Sequence, residues 1–122
     1  MPQIRLEYTS NVRIDSDWGE LVKKIHKSVS ASLRISIDNC KTRVLNHSRF
    51  YVGDGGQDKA YAHLEVGILD GRSPTLKREL GNLLLGVLQT QLLPDNGHLD
   101  LQITVEIRDI NREEYFKYPR AR

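Results

Sequence analysis

Apolar and polar residues alternate over residues 2–8 at the start of the chain. One side carries Ile4, Leu6 and Tyr8, and the other carries Gln3, Arg5 and Glu7. A period of two over this length predicts a β-strand that is buried on one face. Pro2 heads the strand, where a proline interrupts no ladder hydrogen bond.

Two longer stretches have the period of a helix. The first begins near Asp17, which stands three residues before Glu20 as in a capping box. The second begins at Ser73-Pro74, with Ser73 predicted as N-cap and Pro74 at the first helical position. The predicted apolar stripes are Trp18, Leu21, Val22, Ile25, Val29 and Leu33 in the first helix, and Leu76, Leu80, Leu83, Leu84, Val87, Leu88 and Leu92 in the second.

Alternation returns at residues 38–48, 60–69 and 99–108, which we predict to be strands. The stretch at 38–48 places Lys41 and Arg43 on one face, about 7 Å apart by strand rise. The segment at 46–59 is predicted to be a loop, with positive φ angles at its glycines. It lacks the Lys-Ser/Thr pair of a phosphate-binding loop.

This order predicts an α/β (α+β) fold in which two β-α-β units form a four-stranded mixed sheet with two helices on one face. We expect a single domain over residues 1–122, with halves at about 1–48 and 60–109 and a C-terminal tail at 110–122. The other face of the sheet is rich in charged residues, and a small cyclic oligomer would enclose it.

Composition narrows the class of protein. Of the 122 residues, 39% are hydrophobic and 28% are charged, as in ordinary globular proteins. The basic residues are scattered and only Arg120 and Arg122 resemble a basic tail, so we expect no nucleic-acid partner. We see neither a signal peptide nor an apolar run that would span a membrane. A single cysteine, Cys40, suits a reducing compartment, and we therefore expect a cytoplasmic protein.

Pro2 is the first candidate for chemistry. If Met1 is removed, Pro2 carries a free secondary amine at the end of a rigid strand and could act as a base; the alternative is that it only starts the strand. Cys40 on the helix-facing side is typical of a small buried hydrophobe. The four histidines show no metal-ligand spacing, and for His63 we expect a structural hydrogen bond. We therefore expect neither a metal site nor a cofactor.

Several motifs now form an ordered set along nearly the whole chain. They are Pro2 with Glu7 and Asn11-Val12-Arg13; Thr42-Arg43-Val44; Asp54-Gly55 through Asp58, Ala60 and His63; Gly71-Arg72-Ser73; Val105-Glu106-Ile107; and Phe116-Lys117. Together they resemble the 5-carboxymethyl-2-hydroxymuconate isomerase family of the tautomerase superfamily.

The resemblance implies a homotrimer with active sites between subunits and Pro2 as catalytic base, without a cofactor. It implies that Arg72, Arg43 and Lys41 bind the carboxylates of a small dicarboxylate such as 5-carboxymethyl-2-hydroxymuconate, in the catabolism of aromatic compounds. Lys41 departs from the arginine of the family, and lysine lacks the planar fork that grips a carboxylate. The alternatives are a tautomerase acting on another enol and a trimeric binding protein without catalysis.

Overall fold

The computed structural model describes residues 1–14 and 18–119, which form a four-stranded sheet covered by two helices. The predicted cap at Asp17 and the basic residues Arg120 and Arg122 lie outside the described residues. The elements are β1 (Gln3–Thr9), α1 (Trp18–Leu33), β2 (Lys41–His47), β3 (Lys59–Leu69), α2 (Pro74–Leu92) and β4 (Asp100–Ile110), with short 3-10 turns at Ile37–Asn39 and Arg112–Glu114.

The strand order in the sheet is β2-β1-β3-β4. β1 pairs with β2 in parallel and β3 pairs with β4 in parallel, whereas the central pair of β1 and β3 is antiparallel. This confirms the predicted mixed sheet built from two β-α-β units. Gln3 at the start of β1 is level with Lys41 at the start of β2 and with Gly67 near the end of β3. The head of β1, the head of β2 and the ends of β3 and β4 therefore meet at one end of the sheet.

The core lies between one face of the sheet and one row of residues on each helix. Its helical members are Leu21, Ile25, Val29 and Leu33 in α1 and Leu80, Leu84, Leu88 and Leu92 in α2. The N-cap at Ser73 is confirmed, because its side chain accepts a hydrogen bond from the Leu76 amide at 3.1 Å. In the described part of the chain, neither helix has the length and apolar character needed to cross a bilayer.

The prediction of burial was wrong for two residues of the apolar stripes. Trp18 is 53% exposed and Leu83 is 47% exposed. Leu83 is turned about 100° around the helix axis from its buried neighbour Leu84. Trp18 is the first residue of α1, one turn before its first buried position. The helices therefore bury a narrower stripe than their apolar residues suggest.

The predicted strand at 38–48 begins later than expected. Residues Ile37–Asn39 form a 3-10 turn, in which the Ser36 hydroxyl accepts a hydrogen bond from the Asp38 amide at 3.2 Å. Short polar side chains offer the backbone such local partners in place of a strand ladder. In the following loop, Gly53 and Gly55 adopt φ angles of 57° and 82°, as predicted.

The chain after β4, residues 111–119, forms a C-terminal tail that returns to the head of β1. There the Tyr115 hydroxyl accepts a hydrogen bond from Gln3 Nε2 at 2.8 Å. Gly67 in β3 leaves room for the last residue of β4. A Cβ at position 67 would stand 2.9 Å from Ile110 Cδ1, which is closer than such atoms approach in proteins.

A buried asparagine joins the loop after β1 to the end of α2. Asn96 is 1% exposed. Its Oδ1 accepts a hydrogen bond from the Arg13 amide at 2.7 Å, and its Nδ2 donates to the carbonyl oxygens of Arg13 at 2.8 Å and Leu92 at 2.7 Å. One side chain thus satisfies backbone groups from two distant segments.

Candidate active site

A cavity of ≈ 820 Å³ opens at the end of the sheet where β1 begins. Its apolar walls come from the segment that ends α1, from the end of β3 and from the tail. The residues that line it are Met1, Pro2, Leu33, Ile35, Asn39, Ile68, Leu69, Arg72, Arg112, Glu113, Tyr115, Phe116 and Lys117. The walls are apolar while several rim groups are cationic, which suits a small organic anion.

Pro2 is buried and borders this cavity. Its carbonyl oxygen accepts a hydrogen bond from the Lys41 amide at 3.3 Å, so the head of β1 is held against the head of β2. While Met1 is attached, the Pro2 nitrogen is an amide without a basic lone pair.

The surroundings of the amino end favour a neutral amine. Burial, a hydrogen bond with Lys41 and the charges of Lys41 and Lys117 together lower the pKa of the Met1 amine from 8.0 to about 6. Loss of hydration and nearby cations both disfavour the ammonium form. The amine of Met1 is therefore largely uncharged at neutral pH.

Arg72 lines the same cavity from the position directly before the Ser73 cap. Its Nη1 donates a hydrogen bond to the carbonyl oxygen of Leu33, the last residue of α1, at 2.8 Å. Among residues 1–14 and 18–119, Nε and Nη2 of Arg72 have no hydrogen-bond partner. One edge of the guanidinium is thus anchored while the other is available to a ligand.

Replacing Arg72 with alanine should lower kcat/KM by about 10- to 100-fold, because a charge-assisted contact to a carboxylate would be lost. The free energy of unfolding should fall by only about 1 kcal/mol, the usual worth of one hydrogen bond. Steady-state kinetics and urea denaturation measure the two effects. Arg78→Ala on the exposed face of α2 is the matched control. Unchanged kinetics with lost stability would show that Arg72 serves only to hold α1.

The two cations of β2 were predicted to share a site with Pro2, and the Lys41 side chain does form a hydrogen bond with the amine of Met1 at the amino end. Arg43 lies outside the cavity: its Nη2 donates to Gln3 Oε1 at 2.9 Å and its Nη1 to the Ile4 carbonyl at 3.3 Å. Because Gln3 also donates a hydrogen bond to Tyr115, it links Arg43 to a residue that lines the cavity. Lys41 lines an adjoining space of ≈ 470 Å³ and donates to the Asn39 carbonyl at 2.8 Å.

Sequence reasoning missed the contribution of the tail to the cavity. Arg112, Tyr115 and Lys117 all line it. The aromatic and basic composition of residues 115–118 was visible in the sequence, and Phe116-Lys117 was part of the family resemblance. No periodicity in the tail indicates that it folds back to Pro2, and Arg112 carried no signal of its own.

His63, Glu65 and Glu106 come together on the polar face of the sheet, with potential ligand atoms within 4.8 Å of one another. Sequence spacing could not show this, because the residues lie on two strands. Glu65 forms ion pairs with Arg5 at 2.8 Å and Arg108 at 3.7 Å, and Arg108 also contacts Glu106 at 3.3 Å. The carboxylates are thus already paired with arginines.

Cys40 is buried, and burial raises the pKa of its thiol. A thiol with a raised pKa is a poor nucleophile at neutral pH. This supports the interpretation of Cys40 as a small core residue.

Comparison with known proteins identifies the family. The family described as 5-carboxymethyl-2-hydroxymuconate isomerase matches residues 2–120. The chain is 24% identical over 117 residues to a 5-carboxymethyl-2-hydroxymuconate Delta-isomerase of Escherichia coli, covering 96% of this chain and 93% of that protein.

Solved structures agree with the fold. A 5-carboxymethyl-2-hydroxymuconate isomerase from Deinococcus radiodurans R1 gives a TM-score of 0.84 at 25% identity, over 95% of this chain and 87% of that one. A protein described as a fused 4-OT symmetric trimer gives a TM-score of 0.76 at 17% identity, over 96% of this chain and 92% of that one. The chain therefore belongs to the 5-carboxymethyl-2-hydroxymuconate isomerase family of the tautomerase superfamily, and it is an isomerase.

Proposed function

We propose that the protein catalyses the enol-to-keto isomerisation of a 2-hydroxymuconate-type dicarboxylate such as 5-carboxymethyl-2-hydroxymuconate. Pro2, exposed by removal of Met1, is the general base. The observation that carries this proposal is the position of Pro2 in an apolar-walled cavity that Arg72 also lines, and the lowered pKa of the neighbouring Met1 amine supports it. The names of the relatives support the substrate.

The reaction moves one proton along a conjugated system. The neutral Pro2 nitrogen takes the proton from the 2-hydroxyl group, which leaves a dienolate and a prolinium. The prolinium then returns the same proton to carbon, giving the ketone and restoring the base. A base whose pKa lies near the working pH serves both steps. Arg72 and the nearby lysines stabilise the negative charge of the dienolate and of the carboxylates.

We also propose that the working form is a homotrimer in the cytoplasm. The sheet leaves β2 and β4 as edge strands, and its polar face carries the charged residues Arg5, Glu65 and Arg108. Sheet edges and such a face are suited to burial against other copies of the chain. The fused 4-OT relative is described as a symmetric trimer. Arg43, which lies outside the cavity of its own chain, would then be placed to serve a site shared between subunits.

A direct test follows ketonisation of 2-hydroxymuconate and its 5-carboxymethyl derivative by ultraviolet absorbance, with the amino end of the purified chain defined by mass spectrometry. We expect turnover by the chain that begins at Pro2. Turnover of a phenylpyruvate-like enol but of neither muconate would indicate a different substrate. No turnover of any enol by the processed chain would instead favour a binding protein.

The pH dependence of kcat/KM should report the low pKa of the base. Activity should fall as the pH decreases, because protonation removes the lone pair, with a midpoint clearly below 8.0 and near the value of about 6 found for the Met1 amine. Lys117→Gln should move this midpoint upward, since a cation that disfavours the ammonium form is gone. Lys23→Gln on the exposed face of α1 is the control. A midpoint near 8, or one that Lys117→Gln leaves in place, would contradict the assignment.

A further inference from the structure

We propose that Arg112 forms, together with Arg72, the binding site for one carboxylate of the substrate. This inference deepens the proposed function and rests on it for the class of ligand. Arg112 is the first residue of the 3-10 turn Arg112–Glu114, directly after β4. It lines the same cavity as Pro2 and Arg72. No sequence motif marks it.

The turn that carries Arg112 is fixed by its own cap. The Asn111 side chain accepts a hydrogen bond from the Glu113 amide at 3.1 Å, which satisfies a backbone donor at the start of the turn. The side chain of Arg112 therefore leaves the backbone from a defined position at the end of the sheet.

The guanidinium of Arg112 is oriented by Asp70 at the end of β3. Its Nε donates to Asp70 Oδ1 at 3.0 Å, and its Nη2 donates to the Asp70 carbonyl oxygen. Nη1 has no hydrogen-bond partner among the described residues. The anchored edge faces Asp70, and the remaining donor is free for a ligand.

The guanidinium of Arg112 lies beside the turn that precedes Arg72. Gly71 in this turn has a φ of +106°, which favours glycine, and a Cβ there would be in ordinary contact with Arg112 Nη2 at 3.5 Å. Because Arg72 follows Gly71 directly, the turn after β3 both positions Arg72 and contacts Arg112. The chain thus brings to one cavity two arginines that lie 40 positions apart in the sequence.

Each of the two arginines uses some of its N–H groups in hydrogen bonds to the protein and has others available for a ligand. Arg72 holds the Leu33 carbonyl and Arg112 holds Asp70. Two pre-oriented guanidinium groups at an apolar wall match a planar carboxylate, because arginine donors are spaced for two parallel bonds. Glu113 also lines the cavity but forms no ion pair with either arginine.

The pair predicts a preference for ligands with two carboxylates over ligands with one. Lys117 and Lys41 at the amino end can attract one anionic group, and the two arginines hold another. A monocarboxylate can occupy only one of these places at a time. Arg112 is therefore a specificity-determining residue, and its loss should affect dicarboxylates more than monocarboxylates.

The competing explanation is that Arg112 only pins the tail through its ion pair with Asp70. Two variants separate the roles, because both break that ion pair. Arg112→Gln also removes the cation from the cavity, whereas Asp70→Asn leaves the cation in place. Arg78→Gln on the exposed face of α2 controls for the change in net charge.

The experiment is calorimetric titration of the processed protein and its variants with adipate and with hexanoate, which have equal chain length and differ in one carboxylate. We expect Arg112→Gln to weaken adipate binding by about tenfold, as for a partly exposed charge-assisted contact, and to change hexanoate binding by less than about twofold. Asp70→Asn should keep adipate binding within about threefold, and Arg78→Gln should leave it unchanged.

The proposal is overturned if Arg112→Gln and Asp70→Asn weaken adipate binding alike, if adipate and hexanoate are affected equally, or if the wild type binds adipate no better than hexanoate. These titrations need no catalysis, so they are independent of the role of Pro2. Selective adipate binding without turnover of any enol would retain the arginine pair and exclude the catalytic proposal. Turnover of muconates without selective adipate binding would retain the catalytic proposal and exclude the arginine pair.

Discussion

Protein that retains Met1 should isomerise 2-hydroxymuconate at least about 100-fold more slowly than the chain that begins at Pro2, because general base catalysis contributes about this much or more. The acylated nitrogen of Pro2 has no lone pair to accept the proton. Met1 itself also lines the cavity and occupies part of the space that a substrate needs. The two forms can be prepared from one gene with and without inhibition of methionine removal, identified by mass and compared by ultraviolet absorbance.

Pro2→Ala supplies a second arm of the same test. Its processed form has a free primary amine on a more flexible backbone, so we expect a lower rate than that of wild type but a higher one than that of the Met1-retaining chain. Pro74→Ala at the start of α2 is the matched control for replacing a proline at the head of an element. Equal rates for processed and unprocessed wild type would exclude Pro2 as the base.

Replacing Asn96 with alanine should lower the free energy of unfolding by about 3 kcal/mol, because buried backbone groups are left without partners and each costs about 1–3 kcal/mol. The change removes the acceptor for the Arg13 amide and the donor for the Arg13 and Leu92 carbonyls. Water cannot readily replace the side chain, since Asn96 is only 1% exposed. Urea denaturation at fixed protein concentration measures the loss as a lower midpoint at unchanged slope.

The control is Asn82→Ala on the exposed face of α2, which should change stability by less than about 0.5 kcal/mol. The candidate active site lies at the head of β1, whereas Asn96 holds the loop after the end of β1. Folded Asn96→Ala protein should therefore keep its kcat/KM at low temperature. A midpoint equal to that of wild type would mean that the loop after β1 finds other partners and that Asn96 is not needed to hold it.

The fold could be predicted because its signals are local and repeated. Ile4 and Leu6 alternate with charged residues, and Ser73-Pro74 provides a helix start whose chemistry does not depend on the rest of the chain. The errors arose where tertiary packing or local capping decided the outcome. The start of β2 is delayed by the Ser36 cap, and Leu83 is apolar yet turned away from the sheet.

The site was less accessible to sequence reasoning. Pro2 was proposed from its place at the head of the first strand and Arg72 from the family resemblance, and both line one cavity. Arg43 does not line this cavity within its own chain, because the register of β1 and β2 sets it level with Arg5, two residues beyond the head of the sheet. Arg112 depends on how the chain leaves β4, which no pattern within the tail encodes. The prediction of the site was limited by the positions that distant segments take in the fold, and not by the chemistry of the individual residues.

Gly67 in β3 couples the packing of the sheet to the residue from which the tail begins. Glycine weakens a strand interior, and a protein engineer seeking a more robust sheet would replace Gly67 with a β-branched residue. A Cβ at position 67 would stand 2.9 Å from Ile110 Cδ1, so the side chain of the last residue of β4 would have to shift. A substitution intended to strengthen the sheet would therefore change the packing directly before the tail that lines the cavity, and both stability and turnover should respond to it.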